Sequence, residues 1–194
     1  MAILPIMHYG EPVLRERGAP VAHVNKDVRR LMEDMWETMD DAPGIGLAAP
    51  QVGSLLRVVV LQVEDDGYML ANPRVIEAHG SQDGVEACLS LPGVQGHVVR
   101  PQRVVVGGAN RNGRPVKIEA EDLLARCFCH EIDHLDGRVF LDRALDGTIC
   151  RAIREGEDED GDPIYRYEPM AREEAFEWLL AQWRDLASTA AAAE

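Results

Sequence analysis

The chain has 194 residues, 46 % of them apolar, which is enough for one core of ordinary size and excludes a wholly disordered polymer. Its net charge of −14 repels phosphate backbones, so broad electrostatic binding of nucleic acid is disfavoured. No run approaches the roughly 18 apolar residues of a membrane span, and MAILPIMHYG carries no basic leader, so a cytoplasmic protein with reduced Cys88, Cys127, Cys129 and Cys150 is expected.

The first periodic segment is NKDVRRLMEDMWETMDD. Val28, Leu31, Met32, Met35, Trp36 and Met39 recur at helical spacing behind Asn25, a good N-cap residue. This predicts an amphipathic helix whose Met and Trp stripe belongs to the core. PGIGLAAPQVG follows as a Gly- and Pro-rich loop, then LRVVVLQV as a buried strand and YMLANP as another. In RVVVGGANRNGRPVKIEA two β-rich runs flank Asn112-Gly113, a hairpin signal.

The period then changes. Leu123, Leu124, Cys127, Phe128 and Leu135 recur every three to four residues, acids open the segment and Gly137 closes it, which predicts a second helix. REGEDEDGDP reads as a charge-dense linker, and AREEAFEWLLAQWRDLA as a last amphipathic helix with Phe176, Leu179, Leu180 and Trp183 on one face. Strands first and a helix late predict an α+β fold with antiparallel or mixed sheets around the second helix. Residues 1–150 are expected to form the main domain, and 151–194 an appendage rather than a separate domain.

His130, Glu131 and His134 form H-E-x-x-H on the second helix. Four residues at 3.6 per turn leave the two imidazoles about 40° apart and one turn apart, so both can reach one cation, with Glu131 placed to take a proton from a bound water. A catalytic site needs a third protein ligand. Glu155 and Glu157 downstream, Cys88 upstream and Cys127 on the same helix all compete for it. Closure by three consecutive turns of one helix is strained, so Cys127 and Cys129 read as core thiols or pocket lining, and Cys150 likewise.

Three motifs in order resemble the peptide deformylase family: GIGLAAPQ (Gly44–Gln51), EACLS (Glu86–Ser90) and HEIDHLDG, with the flanking pattern extending over roughly residues 3–145. The resemblance implies that Cys88, His130 and His134 hold one divalent ion, Fe2+ in the cell with Zn2+, Ni2+ or Co2+ as substitutes. It implies attack of the metal-bound water on the formyl carbon of a formyl-methionyl nascent peptide, with Glu131 as proton carrier and the Gln51 amide and Leu89 N–H as oxyanion donors. It further implies that Ile45, Leu123, Cys127 and the face of His130 line a methionine slot with Arg126 near its rim. The peptide would lie along Gly44, Ile45 and Gly46, and Glu86 and Arg100 would pair to brace the Cys88 loop. One position departs: the family pattern has glycine where this chain has Ala87. An alanine forced to positive φ costs about 1 kcal/mol or more, and its methyl group narrows a cleft, so reduced or altered activity is the alternative consequence. The other alternative is an H-E-x-x-H peptidase with a downstream carboxylate ligand.

The last 44 residues hold five Lys and Arg against twelve Asp and Glu. Ribosome association through a basic C-terminal tail is therefore not expected. The apolar stripe of the last helix should pack back on the rest of the chain. Truncation after Arg154 should then cost stability and leave the chemistry largely intact.

Overall fold

A computed structural model describes residues 2–158 and 161–191. The chain divides into two compact units. The first comprises the N-terminal residues up to Met7 with Glu11–Gln82 and Arg100–Val139; the second comprises His8–Gly10, Asp83–Val99 and the chain from Phe140 onward.

In the first unit, helix α1 spans Lys26–Asp41 and begins where expected, with the Val28 N–H donating to the Asn25 side chain at 3.0 Å. Val28, Met32, Met35 and Met39 are buried, while Leu31 and Trp36 flank the stripe half-buried. Asp34 and Thr38 are buried too, because their side chains receive the backbone N–H groups of Ala2 and Leu4, both at 2.9 Å. A buried polar group is tolerable only with such a partner.

Five antiparallel strands form the sheet of this unit in the order β1 (Gly46–Ala48), β2 (Val58–Val63), β3 (Asp66–His79), β6 (Arg103–Asn110) and β7 (Pro115–Glu121). The expected loop around GIGLAAPQ is thus partly a strand, continued by a 3-10 turn over Ala49–Val52. A three-residue strand is too short to show alternation; its ladder to β2, Gly46↔Leu61 to Ala48↔Val59, reveals it. The expected hairpin is present. Asn110 Oδ1 accepts the N–H groups of Asn112 and Arg114, and Gly113 takes the positive φ of +75°. Helix α2, Asp122–Leu135, packs Phe128, Cys127, Cys129 and Leu135 into a cluster with Val59, Leu61, Leu70, Val104 and Val106. At its end Gly137 has φ +72°, and a Cβ there would lie 2.6 Å from the Arg15 carbonyl oxygen.

The second unit holds a four-stranded sheet in the order β4 (Gln82–Ala87), β5 (Val94–Arg100), β8 (Cys150–Glu157) and β9 (Pro163–Pro169), and helix α3, Arg172–Ala191. The run read as an acidic linker is therefore largely hairpin. Its charges pair on one face: Arg166 with Glu155 and Glu168, and Arg151 with Glu168. Hydrogen bonds from Arg166, then Arg151, hold the Glu168 carboxyl below the usual carboxylate range. Charge density hid the alternation that the pairing uses. Tyr165 and Tyr167 are exposed on β9, the last strand of the sheet. Among the described residues no helix is long and apolar enough to cross a membrane.

Candidate active site

Helix α2 supplies the densest chemistry. Its Cys127, Phe128 and Leu135 side is core, and the same burial reaches the polar side chains: His130 is 9 % exposed, Glu131 3 % and His134 1 %. The two rings lie with centroids 5.0 Å apart and planes at 69°, one turn apart as the spacing requires. Two histidines on a solvated helix face would not look like this. Burial on this scale needs polar partners or a ligand.

Asp133, between the two histidines' turns, is 6 % exposed and accepts a charge-assisted bond from Arg100 at 2.5 Å. Sequence reasoning gave Asp133 no role. Its place inside the H-E-x-x-H motif, next to His134, was the available signal. At the C-terminal end of α2, the Arg57 guanidinium donates to the Leu135 carbonyl at 3.0 Å and to Asp136 at 2.7 Å. A cation there also complements the helix dipole. The Gly18 N–H reaches the same carbonyl at 2.9 Å. His134 therefore sits in a helix turn whose register is fixed from two sides.

Strand β1 lies against Glu131. A Cβ built on Gly46 would fall 2.4 Å from Glu131 Oε1 and 2.9 Å from Cys127 Sγ, so only glycine admits the carboxylate at that place. The sequence reading explained Gly46 by the approach of a peptide; its nearer cause is Glu131. The Cys127 thiol donates to the Ile45 carbonyl oxygen at 3.4 Å, and Cys127 and Cys129 are core thiols as expected. Gln51 is 1 % exposed, and its Oε1 accepts the Ala48 N–H at 2.7 Å. That bond assigns the amide's acceptor end to the backbone and turns its NH2 end away from it.

Cys88 follows β4 directly and is half-buried in a turn closed by the Leu91 N–H on its carbonyl at 3.0 Å. Cys88 belongs to the second unit, and His130 and His134 to the first. One thiolate and two imidazoles form a donor set suited to Zn2+ or Fe2+, so these residues fit a divalent ion chemically. The competing carboxylates are engaged on the hairpin: Glu155 accepts from Arg166 at 2.6 Å and Glu157 pairs with Arg154.

The other expected site residues divide. Ile45 and Leu123 are 48 % and 49 % exposed, whereas Arg126 is buried and donates to the Gln82 carbonyl at 3.3 Å. Gly44 donates its N–H to Met39 at 3.0 Å, and Glu86 is buried. Leu89 is half-buried in the Cys88 turn. Among the described residues the non-glycine positions with positive φ are Glu64, Asn72 and Asp122. Ala87 is not one of them and its side chain is exposed, so the backbone penalty conditional on positive φ does not arise.

Comparison with known proteins gives a consistent result. The profile of the family described as polypeptide deformylase matches residues 3–148. A peptide deformylase of Acidothermus cellulolyticus is 50 % identical over 161 residues, 81 % of this chain and 89 % of its own length. One from Alkalilimnicola ehrlichii is 51 % identical over 146 residues, 73 % and 82 % of the two chains. Among solved structures, peptide deformylase from Thermotoga maritima superposes with a TM-score of 0.73 at 36 % identity, covering 75 % of this chain and 99 % of that one. Peptide deformylase from Ehrlichia chaffeensis in complex with actinonin gives 0.73 at 37 % identity, covering 75 % and 90 %.

Proposed function

The chain belongs to the peptide deformylase family, a family of metal-dependent hydrolases that remove the N-terminal formyl group, and we propose that Cys88, His130 and His134 hold its divalent ion while Glu131 carries the proton. The observation that carries this reading is the family match over residues 3–148, which spans Cys88 and the helix on which His130, Glu131 and His134 are buried together. Fe2+ is the ion proposed in the cell, with Zn2+, Ni2+ or Co2+ able to substitute.

When bound, such an ion would acidify a water molecule and polarise the formyl carbonyl. The chain's own residues do the rest. The Glu131 carboxylate accepts a proton from the attacking water and returns it to the departing amine nitrogen, so that one C–N bond breaks and formate and a free N-terminus leave. The NH2 end of Gln51 and the N–H of Leu89 donate to the carbonyl oxygen as charge builds on it. With Oε1 already held by Ala48, Gln51 need not reorganise to do so. Strand β1 pairs on one side with β2 and ends the sheet order, so the substrate backbone can add beside Gly44–Gly46, and Ile45, Leu123 and Cys127 receive the methionine side chain. The substrates are N-formyl-methionyl nascent peptides met in the cytoplasm. Any ribosome contact is made without a basic tail, and neither membrane nor direct nucleic-acid binding takes part.

The test is deformylation of formyl-Met-Ala-Ser by freshly prepared ferrous protein, with metal content measured alongside. Release of formate that disappears in Glu131→Gln at full metal occupancy is the expected result. Equal turnover in that variant overturns the role of Glu131, and full metal occupancy in Cys88→Ala overturns the ligand set.

A further inference from the structure

Helix α3 packs three aromatic rings on the segments that flank the Cys88 turn. Phe176 stacks on Tyr9 with ring centroids 5.2 Å apart and planes at 30°. Trp183 covers Gly10, where a Cβ would fall 2.4 Å from the indole Cγ and Cδ2. Gly10 also has φ +125°, so the position excludes a side chain twice over. Trp178 lies on Gly93, whose Cβ would be 3.1 Å from the ring, and the Arg151 guanidinium sits 5.6 Å from the Trp178 centroid.

These contacts lead directly to Cys88. The Tyr9 N–H donates to the Ser90 carbonyl at 2.8 Å, and Ser90 lies inside the turn that the Leu91 N–H closes on Cys88. Gly93 is the exit of the same turn, and its carbonyl accepts the Ala152 N–H at 2.8 Å. Strand β5 pairs with β4 on one side, and on the other its ladder to β8 is two pairs long, Val94↔Arg151 and Gln95↔Cys150. The helix that supplies the rings is itself anchored. Ala175 and Leu179 are buried, and Arg172 donates to the carbonyls of Leu141 at 2.9 Å, Asp142 at 3.1 Å and Ala144 at 2.5 Å and to the Asp146 carboxylate at 2.7 Å.

We propose that α3 is a brace for the Cys88 turn, with Phe176, Trp178 and Trp183 as positioning residues that act through Tyr9, Gly10 and Gly93. The proposal rests on the reading of Cys88 as a metal ligand. A thiolate on a turn has no helical register to hold it, and ligands placed loosely bind metal weakly. Large rigid rings on two glycines and a tyrosine add to the restraint that the strands on either side supply. The family profile ends at residue 148, so the brace is built from chain that the profile does not describe. It argues against the expectation that the segment beyond Arg154 is dispensable for chemistry.

The experiment uses full-length protein and two readouts. In the metal-free form, the rate of Cys88 alkylation by iodoacetamide is followed by mass spectrometry, with Cys127 and Cys129 as internal references. In the zinc-loaded form, loss of zinc to a chelator is timed. Phe176→Ala and Trp178→Ala should raise Cys88 alkylation several-fold and speed zinc loss about tenfold, with Cys127 and Cys129 unchanged. Phe176→Tyr, which keeps the ring, and Leu186→Ala, at an exposed position of α3, should match wild type. If Phe176→Ala does not fold, shown by all cysteines labelling together, Phe176→Leu replaces it under the same criteria. A lower melting temperature with wild-type alkylation and zinc loss overturns the brace and leaves α3 a merely stabilising helix. Undiminished zinc binding in Cys88→Ala overturns the ligand assignment instead, and the alkylation rates still decide whether α3 holds the turn.

Discussion

Helix α2 and the Cys88 turn place their side chains by opposite means. In α2, spacing within one element sets the relation of His130, Glu131 and His134, and core packing with the Arg100–Asp133 and Arg57–Leu135 bonds keeps the helix in place. In the turn, no local repeat determines where Cys88 points. The paired strands β4 and β5 hold its two ends, and the proposed props reach it from a tyrosine some eighty residues earlier and from rings some ninety residues later. Pre-organisation from within an element is robust to loss of any one neighbour, while pre-organisation from outside is only as good as its props.

The largest effects should come from the ligands, and they should differ in kind. His134→Ala should abolish metal binding and also lower stability, because it empties a fully buried site in the core helix. Cys88→Ala should abolish metal binding with little change in melting temperature. Metal analysis beside thermal unfolding distinguishes the two, and equal destabilisation by both would erase the contrast. Next in size, Glu131→Gln should lower kcat by about 10²–10⁴-fold with metal retained.

Smaller changes sharpen the comparison. Gly46→Ala places a methyl group on the Glu131 carboxylate and should cost about a hundredfold in kcat through misplacement of the base, again with metal retained. Wild-type kcat there would mean that β1 yields to the extra carbon. Cleaving the Arg100–Asp133 pair with Arg100→Met should destabilise the fold by about 3–5 kcal/mol, measured by urea unfolding, because it strands a buried carboxylate. The smallest effect is assigned to Ala87→Gly. Its backbone is not left-handed and its methyl is exposed, so kcat/KM should stay within about twofold of wild type, a few tenths of a kcal/mol.

What could be read from the sequence follows the same division. α1, α2, the Asn112-Gly113 hairpin and the H-E-x-x-H spacing are local patterns of period 3.6 or 2, and they were legible. Three motifs together also made the family readable from the residues alone. The role of Asp133 was not legible, because its cation, Arg100, comes from a strand thirty-three residues earlier. Nor was the true neighbour of Gly46, which is supplied by a helix eighty-five residues away. The β8–β9 hairpin was missed because its strands spend their alternation on charges, and acids in a row look like a solvated linker. The contacts of Phe176 and Trp183 with Tyr9 and Gly10 span most of the chain and leave no trace in any local window.

Strand β9 carries a consequence for how the protein behaves in a crowded solution. It ends its sheet, so one side of it offers backbone groups to any extended segment that drifts by, and Tyr165 and Tyr167 make that side attractive. Pro163 and Pro169 close the strand at both ends and donate no N–H, leaving only Ile164–Glu168 for a newcomer to pair with. Arg166 and Glu168 then set a charge pattern that most strands do not match, and copies of the same molecule approach each other carrying −14 apiece. The aromatic surface can thus stand in water at high concentration without the sheet propagating from one molecule to the next.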